Sequence, residues 1–185
     1  MTNFVKIADG INVEPVLQEV LAQPDLWNEY AERNHDPNSP HFGVPDIWVR
    51  YRKREELVTG DDFRAPHFAE FYPAWHRLRS LQPIVYGLVA RVKAVYLGGI
   101  LITKIPPGGQ VKPHHDRGSW HAEEMNMKVY VPLQSNGGCI NHCEGESVTM
   151  RPGDVWTFDN LKTHSVENRG ETDRITAIIC MRCEP

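Results

Sequence analysis

Four side chains in the second half of this 185-residue chain have the types and spacing of a metal centre built for oxidative chemistry. His114 and Asp116 stand two apart in "VKPHHD", directly after the apolar run "GGILITKIPPGGQ". In an extended segment, residues two apart point to one side, so this imidazole and carboxylate face a common point while His115 faces away. A third ligand must come from another strand, and His164 in "FDNLKTHSVEN" opens a strand-like run. Two imidazoles and one carboxylate form the facial triad that holds non-haem Fe(II) and keeps further coordination positions open. Structural zinc sites, by contrast, are closed. Arg174 stands ten residues beyond His164. Its planar fork suits a carboxylate held bidentately, which is what a 2-oxoglutarate co-substrate requires at its distal end.

Taken singly, each of these is an ordinary polar residue in a chain with nine histidines; the reading rests on their joint order. The bulk numbers narrow the rest. A formal net charge of −4 argues against a protein whose main job is gripping phosphates, so nucleic acid is not an expected partner. No apolar run approaches the ~18 residues of a membrane span. The opening residues, "MTNFVKIADG", lack the apolar core of a secretory signal, and the cytoplasm is the expected compartment. Thiols stay reduced there. Cys139 and Cys143 in "CINHC", with Cys180 and Cys183 in "CMRC", offer an alternative metal set, a zinc knuckle. Zinc hairpins hold their cysteines in tight turns. Here "ITAIICMRC" reads as a strand that sends Cys180 and Cys183 to opposite faces, so reduced thiols are expected.

The elements that must position the four side chains follow from periodicity. Residues 14–23 place Val16, Leu17, Val20 and Leu21 on one helical face, with Pro15 in the first turn and Pro24 beyond the end. "DLWNEYAERN" reads as a second short helix, "HDPNSPHFGVP" as a loop and "DIWVRY" as a strand. Residues 66–79 read as a short helix with Phe68, Phe71 and Trp75 packed inward. A further helix over 83–95 carries Ile84, Val85, Leu88, Val89, Val92 and Val95 as its apolar face. From Gly98 the texture changes to short β-type runs: "GILITKI", "MKVYVPLQ", "ESVTM", "DVWTFD", "HSVEN" and "DRITAIICMR". Turns such as "PPGG", "SNGG", "RPGD" and "NRGETD" separate them. The pattern predicts an antiparallel barrel or jelly roll, mainly β, buttressed by N-terminal helices in one domain over 1–185. Residues 1–97 form the helical and loop support and 98–183 the core.

Several blocks resemble the aspartyl/asparaginyl β-hydroxylase family, in that family's order. They are "IPPGGQVKPHHD", "KVYVPLQSN" and "MRPGDVWTFDNLKTHSVENRGETDRI", with weaker likeness in "DLWNEYAERN" and "DIWVRY". The clear likeness runs over residues 98–183. It implies a double-stranded β-helix, cupin-like, with His114, Asp116 and His164 as Fe(II) ligands and Arg174 as the 2-oxoglutarate anchor. It further implies O2 as co-substrate, succinate and CO2 as co-products, and hydroxylation of a small molecule or of a peptide or protein side chain, Asp or Asn among the candidates. Lys128 and Tyr130 stand where family members often carry Arg and His. The resemblance makes them co-substrate-binding candidates, Lys128 through a carboxylate and Tyr130 through a hydrogen bond.

Two rival readings keep the barrel. A cupin-type metalloenzyme that does not use 2-oxoglutarate commonly employs three or four histidines, and Asp116 argues against it. A non-catalytic barrel that binds a ligand or partner protein has no use for a triad with Arg174. His115, His121 and His142 are expected at the surface or behind the ligands, and Trp156 and Phe158 in the core. Substrate contacts are expected from "DRGSWHAEE" and the N-terminal half.

Overall fold

Alternation decides which way each strand faces, and turns cut the runs to strand length. The computed structural model describes residues 2–184. In chain order it has β1 (Phe4–Ala8), α1 (Glu14–Leu21), β2 (Asp46–Arg52), β3 (Ala69–Phe71), α2 (Pro73–Arg77), α3 (Leu81–Arg91), β4 (Ala94–Ile105), β5 (Gln110–His114), α4 (Trp120–Glu124), β6 (Met127–Gln134), β7 (Cys139–Cys143), β8 (Glu146–Val148), β9 (Val155–Phe158), β10 (His164–Asn168) and β11 (Arg174–Cys183). The strands pair antiparallel in two sheets, β1-β9-β6-β11-β4-β2-β3 and β5-β10-β7-β8. Together they form a double-stranded β-helix, as the motifs imply.

The large sheet is covered on one face by helices and open to a cavity on the other. Ile100 and Ile102 of β4, Val129 and Val131 of β6, and Ile175, Ala177 and Ile179 of β11 pack into one core with Val16, Val20, Trp75, Leu81 and Leu88 of the helices. Their sequence neighbours face the other way. Leu101, Thr103 and Ile105, Lys128 and Tyr130, and Arg174, Ile178 and Cys180 line the cavity. A period of two thus separates core from site within three strands.

The N-terminal half departs from expectation in ways that have local causes. "DLWNEYAERN" forms only a 3-10 turn, Pro24–Leu26, and no second α-helix. Asn28 takes a left-handed backbone (φ 57), which breaks a helix. Its Oδ1 then accepts hydrogen bonds from the Asp46 N–H (3.2 Å) and the Asn34 amide (2.9 Å), tying the segment to β2. Residues 66–79 divide into the edge strand β3 and the short α2, because Ala69–Phe71 pair with Arg50–Arg52. Of the three aromatics placed inward, only Trp75 is buried; Phe68 is 80% exposed and Phe71 is 42% exposed. The third helix runs from Leu81 to Arg91 instead of 83–95. Lys93, also left-handed (φ 53), stops it, so Val95 belongs to β4 and is half exposed. Strands β1 and β7 and the short α4 were not foreseen; "FVKIA" of β1 pairs with Val155–Phe158 of β9.

Gly153 shows how the N-terminal strap is seated on the barrel. It has φ +79, and a Cβ there would lie 2.5 Å from the Ile11 carbonyl oxygen. Its own carbonyl accepts from the Ile11 N–H at 3.1 Å. Gly153→Ala should destabilise the fold by about 2–5 kcal/mol, the sum of left-handed strain and overpacking. Urea unfolding measures this, and an unchanged midpoint would contradict the seating.

Candidate active site

The ends of two neighbouring strands bring the three candidate ligands together. β5 ends at His114 and β10 begins at His164, and the two residues are opposite each other in the register. Asp116 lies just past β5, where its N–H donates to the Asn160 carbonyl at 3.0 Å. Each histidine donates from Nδ1 to the carbonyl two residues before it, His114 to Lys112 and His164 to Lys162, both at 2.8 Å. That bond fixes the tautomer and leaves the Nε2 lone pair for the cavity. The two rings lie 4.2 Å apart. One ligand atom from each of His114, Asp116 and His164 lies within 4.8 Å of the others.

The electrostatics favour a cation there. His114 Nε2 is buried without a hydrogen-bond partner and stands 3.7 Å from Asp116 Oδ1. An unpaired buried acceptor is costly, and a bound ion removes the cost. Burial and the neighbouring His114 push His164 down to about 4; burial likewise lowers His114. Both imidazoles are therefore neutral at neutral pH, the form that ligates. Burial alone would raise the Asp116 carboxyl, but the Lys128 ammonium and the Asn160 amide outweigh it and hold the group well below the usual carboxylate range. Two neutral imidazoles and one ionised carboxylate suit a divalent ion such as Fe(II), and no thiol is needed.

Arg174 opens β11 and is 2% exposed. Its Nη2 donates to Asn141 Oδ1 at 3.0 Å, while its buried Nε has no partner among the described residues. Burial lowers its pKa to about 10, which leaves it charged at neutral pH. A buried guanidinium held by one neutral amide is short of an anion. Tyr130, two residues beyond Lys128 on the same face, is buried and stacks on Phe158 at 4.7 Å. Burial pushes its phenol up to about 12, so it remains a proton donor. Lys128 is placed differently from Arg174: its Nζ donates to Asp116 Oδ2 at 2.8 Å. Arg174, Tyr130, Lys128 and the three candidate ligands line one cavity of about 770 Å³.

The remaining histidines divide as follows. His115 is exposed. His115→Ala should leave divalent-metal affinity close to that of wild type, because His115 contributes no atom to the His114, Asp116 and His164 cluster; a loss equal to that of His114→Ala would contradict the geometry. His142 bonds Ser147 and Glu167 away from the ligands. His121 of α4 reaches the cavity wall, where its Nε2 accepts the Gly99 N–H at 3.1 Å; burial and then His67 push it down to about 4. Phe158 is buried, with its ring 5.1 Å from His164, and Trp156 is half-buried with its indole N–H on Asp154. Three contributors were not singled out from sequence. Asn160 lies inside the "FDN" run, Asn141 inside "CINHC", and His41 in a loop, where it packs edge-on against His114 at 5.0 Å. The cysteines are free thiols: Cys139 and Cys143 lie on β7 and Cys180 and Cys183 on β11, in different sheets.

Comparison with known proteins agrees with this architecture. The chain is similar to the viral collagen prolyl hydroxylase vCPH from Paramecium Bursaria Chlorella virus-1, solved as a 2OG complex, with 12% identity, 100% of this chain and 97% of that one covered, and a TM-score of 0.59. It is similar also to a prolyl hydroxylase from Trichoplax adhaerens, solved with a hypoxia inducible factor peptide fragment, with 15% identity, coverage of 97% and 83%, and a TM-score of 0.58. At such identities the likeness is one of fold. A Thermotoga maritima oxalate-binding protein is 34% identical over 70 residues, 38% of this chain, and the chain spans about half the length (50%) of that curated relative. A model of the aspartyl/asparaginyl β-hydroxylase family matches residues 23–183. That match takes in every strand from β2 to β11 with His114, Asp116, His164 and Arg174 among them, and the chain belongs to the aspartyl/asparaginyl β-hydroxylase family.

Proposed function

We propose that the protein is an Fe(II)- and 2-oxoglutarate-dependent dioxygenase that hydroxylates a small molecule or a peptide or protein side chain. In this reading His114, Asp116 and His164 hold the ion, and Arg174 with Tyr130 receives the distal carboxylate of 2-oxoglutarate. The observation that carries it is Arg174, a buried cation in the same cavity as the triad that meets no anion among the described residues. When bound, the iron supplies O2 activation, with succinate and CO2 as co-products. The chain's own part is to present two Nε2 lone pairs and one carboxylate oxygen in fixed directions. Leu101, Ile105, Val111 and Val166 are buried around the cavity and keep water from the paired charges. A cupin-type enzyme that does not use 2-oxoglutarate, or a binding barrel without catalysis, would leave Arg174 without a partner.

The described residues contain no helix long and apolar enough to cross a membrane. A cytoplasmic setting, with the four thiols reduced, accords with the free cysteines. The pairing of β1 with β9 and β2 with β4 supports one domain in which residues 1–97 brace the core. Anaerobic addition of 2-oxoglutarate to the Fe(II)-loaded protein should change its visible absorption, and admission of O2 should yield succinate. Iron binding with no response to 2-oxoglutarate would favour the cupin reading instead.

A further inference from the structure

We infer that Lys128 is a positioning residue for the metal and not a co-substrate anchor: with Asn160 it pins the outer oxygen of Asp116, so that the carboxylate meets the ion through one oxygen only. The inference rests on the metal reading of the triad above. Asp116 Oδ2 receives two donors from two unrelated elements, the Lys128 ammonium on β6 and the Asn160 amide after β9, each at 2.8 Å. Oδ1 is the oxygen facing the ligands, 3.7 Å from the unpaired His114 Nε2. With both donors on Oδ2 and the Asp116 N–H held by the Asn160 carbonyl at 3.0 Å, the carboxylate has no freedom to turn its second oxygen inward. One-oxygen binding leaves the adjoining coordination position open.

Register separates Lys128 from the anchoring role. It lies opposite Cys180 on β11, whereas Arg174 starts that strand. Six residues of strand put their backbones roughly 20 Å apart at ~3.3 Å per residue, too far for both to share one carboxylate of a five-carbon diacid without straining. Residue type matters as well. An ammonium is a point donor that takes one oxygen, while a guanidinium fork captures both oxygens of a carboxylate. Lysine on Oδ2 thus leaves Oδ1 available to the ion.

The test uses the full chain loaded with Co(II), whose visible bands weaken as coordination number rises. K128M and N160A should both lower band intensity, as the freed carboxylate chelates. A merely structural role for Lys128 gives no reason for two substitutions on different elements to shift the spectrum alike. K128R should weaken Co(II) binding by about tenfold or more, the usual scale for disturbing a ligand's hydrogen-bonded partner. Titration of 2-oxoglutarate, followed by the same bands, should give K128M a half-saturation within about threefold of wild type, under ~0.7 kcal/mol. K128Q replaces K128M should the latter not fold. An unchanged K128M spectrum overturns the inference. So does a rise in its 2-oxoglutarate requirement as large as that of R174M. Wild-type protein that takes up no Co(II) overturns the metal reading itself, a result distinct from either.

Discussion

Arg174→Met should raise the 2-oxoglutarate requirement by tens to thousands of fold and leave metal affinity nearly unchanged. Truncating one partner of a buried charge-assisted pair costs about 2–5 kcal/mol, and each ~1.4 kcal/mol is a decade in concentration. The metal is spared because Arg174 bonds Asn141, not a ligand. The same substitution has an opposite effect on the empty fold. The wild-type guanidinium is buried with an unpaired Nε, so removing it relieves the cost of an uncompensated buried charge and offsets the loss of its one bond to Asn141. The variant without co-substrate should therefore melt no lower than wild type, while the gain in melting temperature on adding 2-oxoglutarate disappears. A variant that binds 2-oxoglutarate normally would show that another cation holds it.

His164→Ala should abolish stable iron loading and reduce turnover to background. His164 offers one of three candidate ligand atoms, all within 4.8 Å of one another. Disturbing a ligand's hydrogen-bonded neighbour already costs about 10–100-fold in metal affinity, and deleting the ligand should exceed the top of that range. The fold should survive, because β10 remains paired with both β5 and β7 through the rest of its length. Metal content after gel filtration and a melting curve of the metal-free protein separate the two effects. Near-wild-type iron content in a folded His164→Ala protein would remove the triad from consideration.

Features that depend on near neighbours along the chain were readable from the residues alone. Alternation in "ILITKI", "KVYV" and "RITAIIC" sorted helix-facing from cavity-facing positions, since side-chain direction in a strand is set by backbone period alone. The spacing of His114 and Asp116 and the turns between the β runs were legible for the same reason. The order of the later blocks made the double-stranded β-helix recognisable.

What each polar group meets depends on how distant segments converge in space. Lys128 reaches Asp116 from 12 positions away and Asn160 from 44, contacts that exist only because β5, β6 and the segment after β9 converge on one cavity. The unpaired state of Arg174 is likewise a property of the surrounding strands, which supply an amide from Asn141 and no carboxylate. In the N-terminal half, apolar content suggested helix over residues 66–79, where β3 finds a partner strand at one edge of the large sheet, and gave no sign of β1 at the opposite edge. Strand pairing is a long-range contact, and in a short apolar run the local pattern is compatible with either element until a partner edge selects one.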